Sequence, residues 1–421
     1  MLGDRREERL SEREGQWPAG NPPRRRKKKR LMNYKLWLAK RAVEIGVHMV
    51  GEGIRPPVLR TRADIPRNGT DLNEQWLTAV LCHEHAGARV LSFTTPGGSV
   101  GTSTRTALRV SYNEAGQAAG LPTELFTKTT AQFSQRLVLG GADVLHGETR
   151  FFLTFRPKVE MEAPKGYWGG VDESSWRSMI LMEDIAATKG AIFIKPTTPL
   201  TRGQVEDILL NMAAYHGAWW EAPELGVLKN PTDHYNNVAK FMDFEGRCAV
   251  GMERAKTVIP TRLHGQADRL WMGTQKALEI ATEVLPATLL HGDSHVGQTY
   301  ITGDGRMGLT DWQATLQGGW AYDFSYFVGS ACEPEDRRAW EKELLELYLE
   351  ALDKAGGKAP NFDEAWLRYR QTLFYPYSAW AFTIGRAFYQ PKMQPEDICL
   401  AIIRRLATAI DDLDSFDALG I

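Results

Sequence analysis

Two aspartates eighteen positions apart constrain this chain more than any other feature. Asp293 lies in Leu290-His-Gly-Asp-Ser-His-Val-Gly-Gln298, and Asp311 in Gly308-Leu-Thr-Asp-Trp-Gln313. Between them Gly303-Asp-Gly305 supplies the glycines of a tight turn, with a short strand-like run on each side. The pattern predicts a β-hairpin whose second strand ends at Asp311. On a single helix the two carboxylates would stand about 27 Å apart, at roughly 1.5 Å per residue. A hairpin brings them together.

Two converging carboxylates, with the amide of Gln298 five residues after Asp293, suit phosphoryl transfer. One carboxylate must take or orient the proton of an attacking hydroxyl. A second, with an amide oxygen, must hold the Mg²⁺ that neutralises the phosphates. Protein kinases set these out as H-R-D, an Asn five positions on, and D-F-G after a short hairpin. His291-Gly-Asp293, Gln298 and Asp311 fall in the same order. Two other readings stay open on these residues alone. His291, Asp293 and His295 alternate, so on a strand they would share one side and could ligate the metal of a hydrolase. A buried His/Asp pair also serves purely as a loop anchor.

The first half adds candidates in the matching order. Val90–Phe93 and Thr106–Tyr112 read as strands, and Leu121–Thr129 as a third that carries Lys128. Glu148 follows on an expected helix over about 143–155, where a kinase places the carboxylate partner of its phosphate-contacting lysine. Between the first two strands, Thr95-Pro-Gly-Gly-Ser-Val-Gly-Thr is a flexible turn. The backbone N–H groups at Gly98 and Ser99 could cradle phosphate oxygens there, and a plain hairpin loop fits equally well. Ser178–Glu183 is a buried strand leading into Asp184 and Ile185. By position, Glu183 and Ile185 are candidates for a hinge whose backbone meets an adenine edge, the alternative being an ordinary strand end. His83-Glu-His85 lacks the spacing of a metal motif and reads as helix surface.

From about residue 186 the signals are mostly helical. Thr201-Arg-Gly-Gln204 and Asn361-Phe-Asp-Glu364 are capping boxes, and Arg337–Lys354 is amphipathic up to Gly356-Gly357. Strand-rich and helix-rich halves in succession imply an α+β fold in two lobes. Earlier, a helix or two is expected over 33–50, and Asp71 is a candidate N-cap for the next helix. The first 30 residues hold eleven basic and five acidic side chains, so the other 391 carry −7 within a total of −1. An acidic body argues against nucleic acid as a partner. The stretch 1–31 reads as a disordered basic tail, whose run Arg24–Arg30 is either a solvated tail or a nuclear-import tag. Four scattered cysteines suggest a reducing compartment, hence a cytoplasmic location. No apolar run reaches the roughly 18 residues that a membrane span needs, and the N-terminus is too charged for a secretory signal.

The chain resembles the aminoglycoside phosphotransferase and choline kinase superfamily, in particular its ecdysteroid kinase-like branch. The likeness rests on Leu289–Gln298, Leu309-Thr-Asp-Trp-Gln313, Gly319-Trp-Ala-Tyr-Asp-Phe-Ser-Tyr-Phe327, Leu181–Ile185 and Tyr215-His-Gly-Ala-Trp-Trp220, and spans roughly residues 72–415. It implies a bilobal protein-kinase-like fold, with a small antiparallel-sheet N-lobe over 32–185 that binds ATP and a larger helical C-lobe over 186–421. It further implies Asp293 as catalytic base, Asp311 as principal Mg²⁺ ligand, and Asp323 with His291 as supports of the catalytic loop. The substrate would be a hydroxylated small molecule. Gln298 stands where the family pattern has Asn, adding a methylene to an arm that must meet the near-ideal octahedral geometry of Mg²⁺. A nucleotide-holding pseudokinase is therefore the alternative to a working kinase.

Overall fold

The computed structural model describes residues 24–388 and 392–421, with side chains from Leu36 onward except at 240 and 241. The chain divides into two units, Met1–Val43 and Glu44–Ile421. In the first, the described residues are helical and belong to α1 (Arg24–Ile54). Of the stretch 1–31 expected as a disordered tail, Arg24–Arg30 lies at the start of this helix, while residues 1–23 lie outside the described residues. Arg and Lys are good helix formers, and no proline interrupts the chain until Pro56, where the helix has just ended.

The second unit begins with the end of α1 and continues into α2 (Glu74–Leu81). Its N-cap is Asn73, whose side chain accepts from Trp76 N at 2.8 Å. The expected cap, Asp71, instead pairs with Arg67 Nε at 2.6 Å. Next come β1 (Val90–Val100), β2 (Thr104–Tyr112), α3 (Glu114–Ala118), β3 (Glu124–Thr129), α4 (Phe133–Gly141), α5 (Gly147–Arg150), β4 (Gly166–Asp172) and β5 (Arg177–Glu183). The five strands form one antiparallel sheet in the order β1-β2-β3-β5-β4. Alternation sets its two faces. Leu108, Val110, Leu125, Met179 and Leu181 pack with Trp76, Leu77 and Val80 of α2. Phe126, Ile180 and Met182 turn instead to the core of the helical part, and Lys128, opposite Ile180 in the ladder, shares their face.

The helical part holds α6 (Ile185–Lys189), the short strand β6 (Ile192–Phe193), α7 (Arg202–Ala218), α8 (Pro231–Phe241), α9 (Phe244–Arg254) and α10 (Ala267–Glu279). After the strands β7 (Thr288–Leu290), β8 (Thr299–Ile301), β9 (Met307–Leu309) and β10 (Leu316–Gly318) follow α11 (Ala321–Ala331), α12 (Pro334–Lys354), α13 (Phe362–Thr372), α14 (Phe374–Ile384), α15 (Glu396–Asp412) and α16 (Ser415–Ala418). α7 opens with the expected capping box of Thr201 and Gln204 and packs on α12, while α9, α10 and α15 surround α14. No helix among the described residues is long and apolar enough to cross a membrane. This is the protein-kinase-like architecture, a small antiparallel sheet followed by a larger helical part.

Two small ladders position the aspartates. β8 pairs with β9, closing the hairpin expected around Gly303–Gly305, and β7 pairs with β10. The loop 291–298 joins β7 to β8, and the loop 310–315 joins β9 to β10. Because both ends of one loop are hydrogen-bonded to both ends of the other, the loops lie side by side.

Candidate active site

Lys128 ties the two halves of the site together. Its ammonium, on a side chain only 7% exposed, lies 2.9 Å from Glu148 Oε1 and 2.7 Å from Asp311 Oδ1. Burial pulls the ammonium towards neutrality, but Asp311 and Glu148 more than offset that and hold its pKa above the ordinary value. Burial also disfavours ionised Asp311, yet Lys128 outweighs it and keeps this carboxyl below its usual range. Glu148 goes the other way, pushed up by burial against the pull of Lys128. One cation therefore serves two carboxylates unequally, with the charge concentrated on Asp311.

Asp311 has φ +61°, a left-handed conformation uncommon outside glycine that Asp tolerates better than most residues. The next residue, Trp312, is fully buried and stacks on Phe151 at 3.6 Å with 2° between the rings. The turn at 311 thus delivers one side chain to Lys128 and the next into the core.

Asp323, on α11 and fully buried, organises the neighbouring loop. Its carboxylate accepts from His291 N at 2.6 Å, Gly292 N at 3.0 Å, Ser294 Oγ at 3.2 Å and Tyr215 OH at 3.0 Å. Burial resists this charge, but His216 and the His291 amide hold the carboxyl below its ordinary value. Gly292, at φ +81°, approaches the opposite loop so closely that a β-carbon would sit 2.1 Å from the Ala314 carbonyl. His291 Nε2 lies 2.8 Å from Thr310 O, a strut between the loops.

This leaves Asp293 held from two sides. Tyr326 OH donates to Oδ1 at 2.9 Å, and Gln298 Nε2 donates to Oδ2 at 3.2 Å. Trp380 Nε1 donates in turn to Tyr326 OH at 3.1 Å. The Asp293 side chain stays 39% exposed, while burial of its surroundings pushes its pKa up to about 6.

The metal-hydrolase reading fails here. His291 spends its nitrogens on Thr310 O and on the Asp293 amide, and His295 Nδ1 accepts from Gly297 N at 3.0 Å. Burial pushes His295 down to about 4. Among the described residues no group of three or more His, Cys, Asp or Glu could hold a metal ion.

A profile of the phosphotransferase enzyme family known as APH matches residues 125–371. The chain belongs to this family. Among solved structures, a spectinomycin phosphotransferase bound to ADP and spectinomycin is 11% identical, with 82% of this chain and 99% of that one covered and a TM-score of 0.41. A choline kinase from Streptococcus pneumoniae is 12% identical over 77% and 94%, with a TM-score of 0.39. A macrolide 2'-phosphotransferase from Brachybacterium faecium is 14% identical over 74% and 92%, also at 0.39. No curated protein matches the sequence.

In this phosphotransferase the remaining sequence candidates fall into two groups. Gly98 and Ser99 lie within β1 rather than in a turn, which corrects the flexible-loop reading; the turn comes at 101–103. Gly98 permits close pairing, since a β-carbon there would meet Arg105 O at 2.4 Å. Ser99 pairs with Arg105, and Arg105 with Lys128, so all three stand in one row across the sheet. Glu183 and Ile185 mark the passage from β5 to α6, as expected by position. The Glu183 carboxylate accepts from Lys165 N at 3.1 Å and Thr188 Oγ1 at 2.8 Å, and the Ile185 carbonyl accepts from Ala191 N at 3.1 Å.

Two residues escaped the sequence reading. The Arg105 side chain makes no hydrogen bond or ion pair among the described residues, yet its charge favours the ionised forms of both Asp311 and Glu148. Tyr326 follows Asp323 by three positions, one turn on the same helix face, and that spacing was a usable signal. The donor set also fits Mg²⁺: one low-pKa carboxylate and one amide, too few to enclose an ion but suited to one that keeps waters and phosphate oxygens as its other ligands.

Proposed function

We propose that this phosphotransferase moves the γ-phosphoryl group of ATP onto a hydroxyl of a small molecule. The observation that carries this reading is the convergence of Lys128, Glu148 and Asp311 beside an Asp293 whose pKa is raised to about 6. Asp293 accepts the proton of the acceptor hydroxyl. The acceptor oxygen bonds to the γ-phosphorus as the bond from that phosphorus to the departing ADP oxygen breaks. A pKa near 6 keeps the carboxylate ionised at pH 7, while leaving it a stronger base than an exposed aspartate. Tyr326 and Gln298 fix its orientation. Lys128, with Arg105 beside it in the sheet, faces the phosphate oxygens. Asp311 and the Gln298 carbonyl would hold Mg²⁺, which supplies charge neutralisation at the phosphates.

The test is mass spectrometry of Mg-ATP reactions with a panel of amino alcohols, aminosugars, sterols and macrolides. An acceptor gaining one phosphoryl group with stoichiometric ADP supports the proposal. One observation favours a second reading, a nucleotide-holding protein without turnover: Gln298 leans on Asp293 through its amide nitrogen. Metal-independent thermal stabilisation by ATP, with no product from any acceptor, would select that reading.

A further inference from the structure

A cavity of 250 Å³ opens on the far side of the helix that carries Glu148. Its walls come from three segments: 143–150, 227–234 and 313–316. None of Lys128, Asp293, Gln298 or Asp311 lines it. Its polar lining is mostly cationic or basic, with Arg150, Lys229, His146 and His234 against the single carboxylate of Asp143.

Those charges are unevenly satisfied. The Asp143 carboxylate is taken up by Lys229 Nζ at 2.9 Å and Asn237 Nδ2 at 3.2 Å, and His146 Nε2 lies 2.5 Å from Glu173 Oε1. The Arg150 guanidinium, permanently charged with five N–H donors, has no side-chain hydrogen bond or ion pair among the described residues. His234 is only 8% exposed and likewise makes no side-chain hydrogen bond among them. Burial, and then the charge of Lys229, push its pKa down to about 4. The His234 imidazole and the half-buried Arg150 guanidinium thus keep their polar atoms open to the cavity, free for an incoming acceptor.

We propose that this cavity is a second ligand site, taking a small anion of the phosphate class against Arg150, Lys229 and His234. Donors arriving from two segments, Arg150 on one and Lys229 with His234 on the other, match a tetrahedral dianion with several acceptor oxygens better than a planar carboxylate with two. The size limits the ligand too, since sites for drug-sized molecules begin at about 300 Å³. Arg150 lies two residues after Glu148 on the same short helix. Gly147, before it, is seated so tightly that a β-carbon would stand 2.0 Å from the Gln313 carbonyl. An occupant of the cavity therefore braces the helix that presents Glu148 to Lys128.

Calorimetric titration of the full chain with inorganic phosphate and with glycerol 3-phosphate tests this without requiring turnover. At least one probe is expected to bind saturably, with Arg150→Gln and His234→Gln each weakening it tenfold or more and Arg150→Lys losing less. Lys128→Ala is expected to leave the binding intact. Tighter binding of the ester points to a phosphorylated metabolite as the natural occupant. Equal or tighter binding of phosphate points to the free ion. Ring NMR signals of His234 should shift on addition of the bound probe, a readout that a merely structural role would not give. Failure of both probes to bind, or binding lost in Lys128→Ala and untouched in Arg150→Gln and His234→Gln, overturns the proposal.

Discussion

At the scale of single residues, the site turns on how two aspartates in the same environment come to differ. Asp311 shares a 2.7 Å contact with a buried ammonium and stays ionised, whereas Asp293 has only hydroxyl and amide donors and is pushed up to about 6. One is suited to hold a cation and the other to take a proton. The motif itself made this pair legible, because HGD, Gln298 and Asp311 are close in sequence. Arg105 was not legible: an arginine on a strand is ordinarily solvated, and only the β2–β3 register sets it opposite Lys128. If it contacts the phosphates of ATP, Arg105→Gln should raise KM for ATP about tenfold with kcat changed less than threefold. Steady-state kinetics with varied ATP check this, and an unchanged KM counts against the role.

At the scale of elements, the sheet and the loops beside it show where sequence patterns succeed. β2 alternates cleanly from Thr106 to Tyr112, β3 does so up to Thr127, and the hairpin β8–β9 carries its turn glycines. β4 did not announce itself, since Gly-Tyr-Trp-Gly-Gly-Val-Asp has three glycines and survives as an edge strand by pairing with β5. The continuation of β1 through Pro96-Gly97-Gly98 was hidden for the same reason: its residues signal a turn, and the pairing with β2 overrides them. The C-terminal end of α1 is fastened to α4 and β5 by a charge cluster that no local pattern reveals. Glu52 accepts from Arg136 at 2.7 Å and from Arg177 at 2.7 Å, with the Arg136 side chain 1% exposed. Glu52→Ala leaves a buried guanidinium without its carboxylate and should cost about 3 kcal/mol. Urea denaturation checks the figure, and a midpoint matching the wild type would show that the cluster does not hold the helix.

At the scale of the whole molecule, the site exists because α11, β7–β10 and the sheet meet at one point. Asp323 holds the loop of Asp293 from below, His291 straps that loop to its neighbour, and Lys128 reaches down from the sheet to Asp311. This assembly holds Asp311 and Asp323 in their ionised forms, whereas Glu148 is pushed up and so is Asp293. Its folded pKa of about 6 lies above the ordinary 3.8, so the fold favours its protonated form. The group therefore weakens the folded state at pH 7 and stops doing so as pH falls through 6 towards 4. The most direct measurement is the pH dependence of kcat for acceptor phosphorylation by the wild type and by Asp293→Asn, with ATP affinity determined alongside. The account predicts a wild-type rate that falls tenfold per pH unit below about 6. It predicts an Asn variant at least a hundredfold slower at pH 7 that still binds ATP and melts no lower than the wild type. A variant that turns over at the wild-type rate would contradict it.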